Sequence, residues 1–168
     1  MAEVIRITVA GEPVPYKAPH FHQIRKRDGE SFVRAFQPAH TRKWIMRCAQ
    51  EAQMVMHGKV PLSGAVALNL EIYLPLLASM SAKQRAAAIQ GLLLPIKRPD
   101  CSNLLKAVED SMKGIVFHDD SQVQRLTVAK WYGEKPRVEI TVSQITPGAD
   151  LFQQSPSRDR VRLMGPHP

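Results

Sequence analysis

The chain has 168 residues, 44% of them hydrophobic and 23% charged, enough for one compact domain with a real core and too few for two. Its 23 Lys+Arg against 15 Asp+Glu leave a formal net charge of +8, which steers polyanions and makes nucleic acid the first partner to consider. Two cysteines, Cys48 and Cys101, exclude a disulfide framework and a thiolate zinc site and fit a reduced, cytoplasmic setting. Glu3 and Arg6 interrupt the run that a signal peptide would need, and no apolar stretch is long enough to span a membrane.

Ile5, Ile7 and Val9 alternate with Arg6 and Thr8, the period of a half-buried strand that stops at Gly11 and the Pro13-Val14-Pro15 turn. Residues 16–37 show no periodicity and carry Arg25-Lys26-Arg27 before Asp28-Gly29, which reads as a mobile basic loop able to fold back as a ribbon. From Thr41 to His57 the residues Trp44, Ile45, Cys48, Ala49, Ala52, Val55 and Met56 form one helical stripe, with Gly58 as its stop. Arg42, Lys43 and Arg47 on the outer face suit solvent better than phosphate.

Val66, Leu68, Leu70, Ile72 and Leu74 alternate as a second strand ended by Pro75, and Ser81 opens a short alanine-rich helix to about Ile89. Pro99 forbids helix just before it, so the next helix runs from about Ser102 to Lys113, with Gly114 after its end. Ile115–Phe117 and Gln122–Trp131 read as strands on either side of an Asp119-Asp120-Ser121 turn, and Val138, Ile140 and Val142 as a last strand. The fold class is α+β: a single domain over 1–146, with a mostly antiparallel or mixed sheet of about five strands packed against helices. Residues 147–168 read as a flexible Pro- and Arg-containing tail.

The chemistry concentrates in 98–120. On a helical projection Leu104, Leu105, Val108 and Met112 face the core, while Ser102, Lys106, Glu109 and Lys113 gather on the opposite side. Asp100 precedes the helix, where a carboxylate benefits from the positive end of the dipole. A hairpin carrying Asp119 and Asp120 back over that end would place two or three oxygen ligands around one hard cation. Mg2+ is the natural choice, polarising a phosphoryl oxygen and activating water, with Lys106 offsetting the charge that builds on phosphorus. Each piece also has a plainer reading. Ser102 or Asp100 can cap the helix, Lys106 can pair with Asp110, and Asp119-Asp120-Ser121 has the composition of any tight turn.

Arg98-Pro99-Asp100-Cys101-Ser102-Asn103-Leu104-Leu105-Lys106, followed by Asp119-Asp120-Ser121-Gln122-Val123, resembles the signature of the RusA-type Holliday junction resolvases of bacteria and their prophages. Gly11-Glu12-Pro13-Val14-Pro15, Thr41 and Trp44 extend the likeness, which covers roughly residues 4–144. The resemblance implies a homodimeric, Mg2+-dependent endonuclease that nicks opposing strands of four-way DNA junctions. It makes Asp100 and Asp120 essential aspartates, Lys106 the active-site lysine and Asp119 an auxiliary metal ligand. Ser102 departs from it, standing where the family has another essential aspartate. That fits an attenuated enzyme or a junction-binding protein without cleavage best. The other readings are a substitution made to trap a substrate complex and a tolerated serine whose ligand role passes to Asp119, Glu109 or a water. Ala18 and His20 also replace expected arginines, leaving Lys17, Arg25, Lys26, Arg27 and Lys97 as the expected phosphate contacts. An RNA- or protein-binding role for the same basic fold is the remaining alternative.

Overall fold

The computed structural model describes residues 3–27 and 29–146. The expected tail at 147–168 lies outside them. Strand β1 (Val4–Ala10) buries Ile5, Ile7 and Val9 and exposes the residues between, as its alternation requires. It ends at Gly11, whose φ of +107° favours glycine. A Cβ there would also meet the Arg47 guanidinium at 3.0 Å, a flexible side-chain end that would have to give way.

The basic segment folds back on itself as an antiparallel ribbon, β2 (His20–Arg25) with β3 (Ser31–Phe36). Apolar Phe21 and Val33 remain exposed on it. With no buried face there is no alternation to read, and a sequence without periodicity still pairs. Helix α1 (Ala39–Val55) buries Trp44, Cys48 and Ala52 of the predicted stripe together with Thr41, while Val55 at its end is exposed. Thr41 Oγ1 donates to the Pro15 carbonyl at 3.4 Å, tying the turn after β1 to the helix.

Strand β4 (Val66–Pro75) is followed by α2 (Ala82–Ile89) and α3 (Cys101–Met112), then by β5 (Val123–Gly133) and β6 (Arg137–Gln144). Ser81 and Gln84 form a reciprocal capping box at the start of α2. The four-stranded sheet has the order β1-β6-β4-β5. Strand β4 runs parallel to β5 across the α2–α3 crossover, while the β1–β6 and β6–β4 pairs are antiparallel. This is the mixed sheet of an α+β domain.

Helices α1 and α3 cover one face. Ile7, Leu70 and Ile140 lie side by side in register, and Trp44, Cys48, Leu104, Val108 and Met112 close over that face. Each fully buried aliphatic contributes roughly 1.5–3 kcal/mol of transfer free energy. On the opposite face α2 packs against β5, with Gly91 beside the ring of Trp131. The Trp131 indole N–H donates to the Glu71 carboxylate. No helix among the described residues is long and apolar enough to cross a membrane.

One expected strand is absent. Ile115–Phe117 is a turn, closed by a 2.7 Å bond from Gly114 N to Phe117 O and joined to the body through the Leu62–Phe117 bridge. Val116 and Phe117 are adjacent and both buried, which a strand with one buried face cannot arrange.

Candidate active site along α3

Asp100 occupies the N-cap position of α3 with extended φ and ψ, and its carboxylate makes no capping bond to the helix. Among the described residues its one side-chain hydrogen bond is accepted from Asn103 Nδ2 at 3.4 Å. The carboxylate is exposed at the positive end of the helix, available to a ligand. Ser102 lies one residue inside the helix, exposed, and so is not the cap. The backbone leading to Asp100 is fixed from two sides. Lys130 Nζ donates to the carbonyls of Lys97 (3.1 Å) and Pro99 (2.8 Å), and Tyr16 N bonds to Asn103 O at 2.8 Å. The second contact brings exposed Lys17, the next residue along, to the same helix end.

Asp119 and Asp120 sit at the other end of α3. Lys113, its C-cap residue, reaches Asp119 at 2.6 Å and Asp120 at 3.2 Å. The Lys113 ammonium holds the Asp119 carboxyl well below the usual carboxylate range, helped by the backbone N–H of Ser121. Asp119 in turn raises the Lys113 pKa, with Asp120 adding to the effect. Asp119 also accepts from Ser121 N at 3.0 Å, capping one turn of 3₁₀ helix at Asp120–Gln122. Asp119-Asp120-Ser121 thus forms the tight turn of the plainer reading.

Between the two ends, Lys106 pairs with Asp110 at 2.6 Å, as its i,i+4 spacing allows, and that bond raises its pKa most. Burial raises the Glu109 carboxyl; Lys106 opposes the shift and Asp120 adds to it. Asp120 thus stands within electrostatic reach of both Lys106 and Glu109. Lys113 holds Asp120 near the partly exposed face of α3 that carries Lys106 and Glu109, while Asp100 stands at the helix start. Among the described residues, no three of His, Cys, Asp and Glu converge closely enough to hold a metal ion.

Of the expected phosphate contacts, Arg25, Lys26 and Arg27 are exposed at the end of the β2–β3 ribbon. Lys26 is engaged with Glu30 at 2.9 Å and lies 6.0 Å from the Phe32 ring centre. Lys97 is exposed two residues before Pro99.

Two residues to which the sequence reading assigns no role position the site. Gln122 Oε1 accepts from the backbone N–H of His118 (2.7 Å) and Asp119 (2.9 Å), while its Nε2 donates to the carbonyls of Leu62 (3.0 Å) and Gly64 (2.8 Å). Its signal was the three-residue spacing from Asp119, that of a capping box. Lys130 was signalled by a charge on the core-facing side of β5, in register with Ile72.

A sequence model described as endodeoxyribonuclease RusA matches residues 10–143. The uncharacterized protein YqaN of Bacillus subtilis (strain 168) is 32% identical over 146 residues, covering 86% of this chain and 99% of that protein. The matched span contains both ends of α3, the turn that carries the aspartates, and Gln122. On these grounds the chain belongs to the RusA endodeoxyribonuclease family, that of the RusA-type Holliday junction resolvases.

Proposed function

We propose that this chain binds four-way DNA junctions as a homodimer and nicks them with Mg2+, at a rate attenuated by Ser102. The observation that carries the reading is the approach of Asp120, through Lys113, to the partly exposed face of α3 that bears Lys106 and Glu109, on a helix that starts at the exposed carboxylate of Asp100. Carboxylates around a lysine, in a chain of formal charge +8, suit a phosphodiester better than a neutral or cationic substrate. A two-fold dimer suits a substrate with two equivalent cleavage points, one site meeting each. A DNA substrate is consistent with a cytoplasmic location.

The donors do not make a magnesium cage as they stand. Asp119 and Asp120 are engaged by Lys113, and position 102 offers a neutral hydroxyl in place of a third carboxylate. Mg2+ is the cofactor this reading implies. Asp100 at one end of α3 and Asp120 with Asp119 at the other do not meet around one ion as placed, so an ion would rest on one end alone and bind weakly. The chain's own residues supply charge and placement. Lys17, Lys97 and the ribbon cations Arg25 and Arg27 meet phosphates, with Lys26, engaged by Glu30, contributing little. Lys106 adds positive charge beside the reacting one, and Lys130 and Gln122 fix the two acidic ends.

The serine favours a second reading, a junction-binding protein of the same fold that does not cut. Magnesium-dependent nicking of an end-labelled synthetic four-way junction separates the two, with binding followed in Ca2+. Weak paired nicks by the natural chain, raised about a hundredfold or more by Ser102→Asp, support an attenuated nuclease. Tight binding without nicks in either protein supports the binder. Failure of both proteins to prefer junctions over linear duplex sinks the proposal.

A further inference from the structure

Immediately before Asp100 the chain borders a cavity of about 210 Å³ at the carboxyl ends of the parallel strands β4 and β5. That end of a parallel pair is where open sheets commonly leave a ligand crevice. Leu74, Pro95 and Tyr132 line it on the side of the packed body, while Glu12, Lys97 and Arg98 line its exposed side, the rim. Leu74 and Pro95 are buried and Tyr132 is half-buried, so the walls belong to the packed body; the three rim residues are exposed. Among the described residues, neither the Glu12 carboxylate nor the Arg98 guanidinium has a hydrogen-bond or ion-pair partner.

Size and chemistry narrow the occupant. The cavity is smaller than the roughly 300–1,000 Å³ of drug-sized ligand sites, and suits one planar ring system. An aromatic wall stacks a base whatever its identity. The two rim cations match the phosphates that flank a base, and a rim carboxylate accepts hydrogen bonds from an exocyclic amino group. Strands exchange at the centre of a four-way junction, and a base beside the exchange point has lost a stacking neighbour, which lowers the cost of turning it out.

We infer that this cavity receives one unstacked nucleobase, preferentially amino-bearing, from the nucleotide next to the junction centre. The inference rests on the junction-nuclease reading and deepens it, making Tyr132 and Glu12 determinants of which junction positions the protein engages. Seating that base would register the adjoining phosphate against Asp100, since rim residue Arg98 is separated from Asp100 only by Pro99.

The test uses the full chain and synthetic four-way junctions bearing a single abasic nucleotide at each position near the centre, with affinity measured in Ca2+. At one position the abasic site should weaken binding by about tenfold, the worth of one stacked base. With Tyr132→Leu that penalty should disappear. Glu12→Ala, at an exposed residue, provides a second variant should Tyr132→Leu fail to fold. It should abolish the preference for adenine over unsubstituted purine at the same position. Junction binding with no position-specific abasic penalty overturns the inference alone, as does a penalty that persists in Tyr132→Leu with the Glu12→Ala preference unchanged. Absence of junction binding overturns the nuclease reading and this inference with it.

Discussion

Lys113 Nζ lies 2.6 Å from the carboxylate of Asp119, so the acidic turn carries its own counter-cation. A metal ion approaching Asp119 and Asp120 must displace that ammonium. Both partners are about half exposed, and solvent screening keeps such pairs weak. Lys113→Gln should therefore tighten Mg2+ binding, measured by titration calorimetry, by no more than about fivefold. A weaker affinity instead would show that Lys113 mainly anchors the turn.

Gln122 joins the aspartate turn to the segment before β4 through four backbone contacts made by one amide. Replacing it with alanine leaves two N–H groups and two carbonyls to water, at a cost of about 2 kcal/mol. For a domain of this size that corresponds to a fall in Tm of roughly 4–8 °C. Thermal denaturation followed by circular dichroism measures it. Nicking should drop further than stability does, because Asp119 loses a backbone contact. An unchanged Tm would mean that these bonds are replaced by water without loss.

Where one face of an element is buried, the sequence shows it. The stripe of α1 and the alternation of β1, β4 and β6 were readable because each must hide Ile, Leu, Val or Trp from water. The β2–β3 ribbon buries neither face, so nothing in its spacing records the pairing. Ile115–Phe117 was misread as a strand because three apolar residues in a row do not distinguish a strand from a packed turn. For the site, Arg98-Pro99-Asp100 located the start of α3, and the spacing of Lys106 and Asp110 anticipated their ion pair. The end of α3 at which Asp119 and Asp120 lie depends on the path of the 113–118 turn, a tertiary matter with no local signature. That path sets them beside Lys113, away from the helix start where the hairpin expectation had put them.

The ribbon's basic residues should differ in their effect on DNA binding. Arg25 and Arg27 are exposed, whereas Lys26 already contacts Glu30 and Phe32. Each phosphate contact contributes about 0.9 to the slope of log K against log salt concentration. Replacing Arg25 and Arg27 together with Gln should therefore lower the slope by about 2, with affinity falling across sequences. Lys26→Gln should change it by less than half of one contact. Fluorescence anisotropy with a labelled junction over a series of KCl concentrations reads this directly. An unaltered slope in the double variant would remove the ribbon from the DNA-binding surface.

The two thiols should separate cleanly. Cys48 is fully buried beneath the sheet, and burial pushes its pKa up from 9.0 to about 12. Cys101, in the first turn of α3, is partly exposed. At pH 8 a thiol-disulfide reagent should therefore modify one thiol per native chain, and the second only on denaturation. The Cys48 shift also has a sign for stability. The folded chain retains a proton that the unfolded chain loses above about pH 9. The stability it confers is complete below that pH and is lost as pH rises toward 12. Urea unfolding of the natural chain and of Cys48→Ala should show their stability difference shrinking over that window. A constant difference would mean that Cys48 ionises alike in both states.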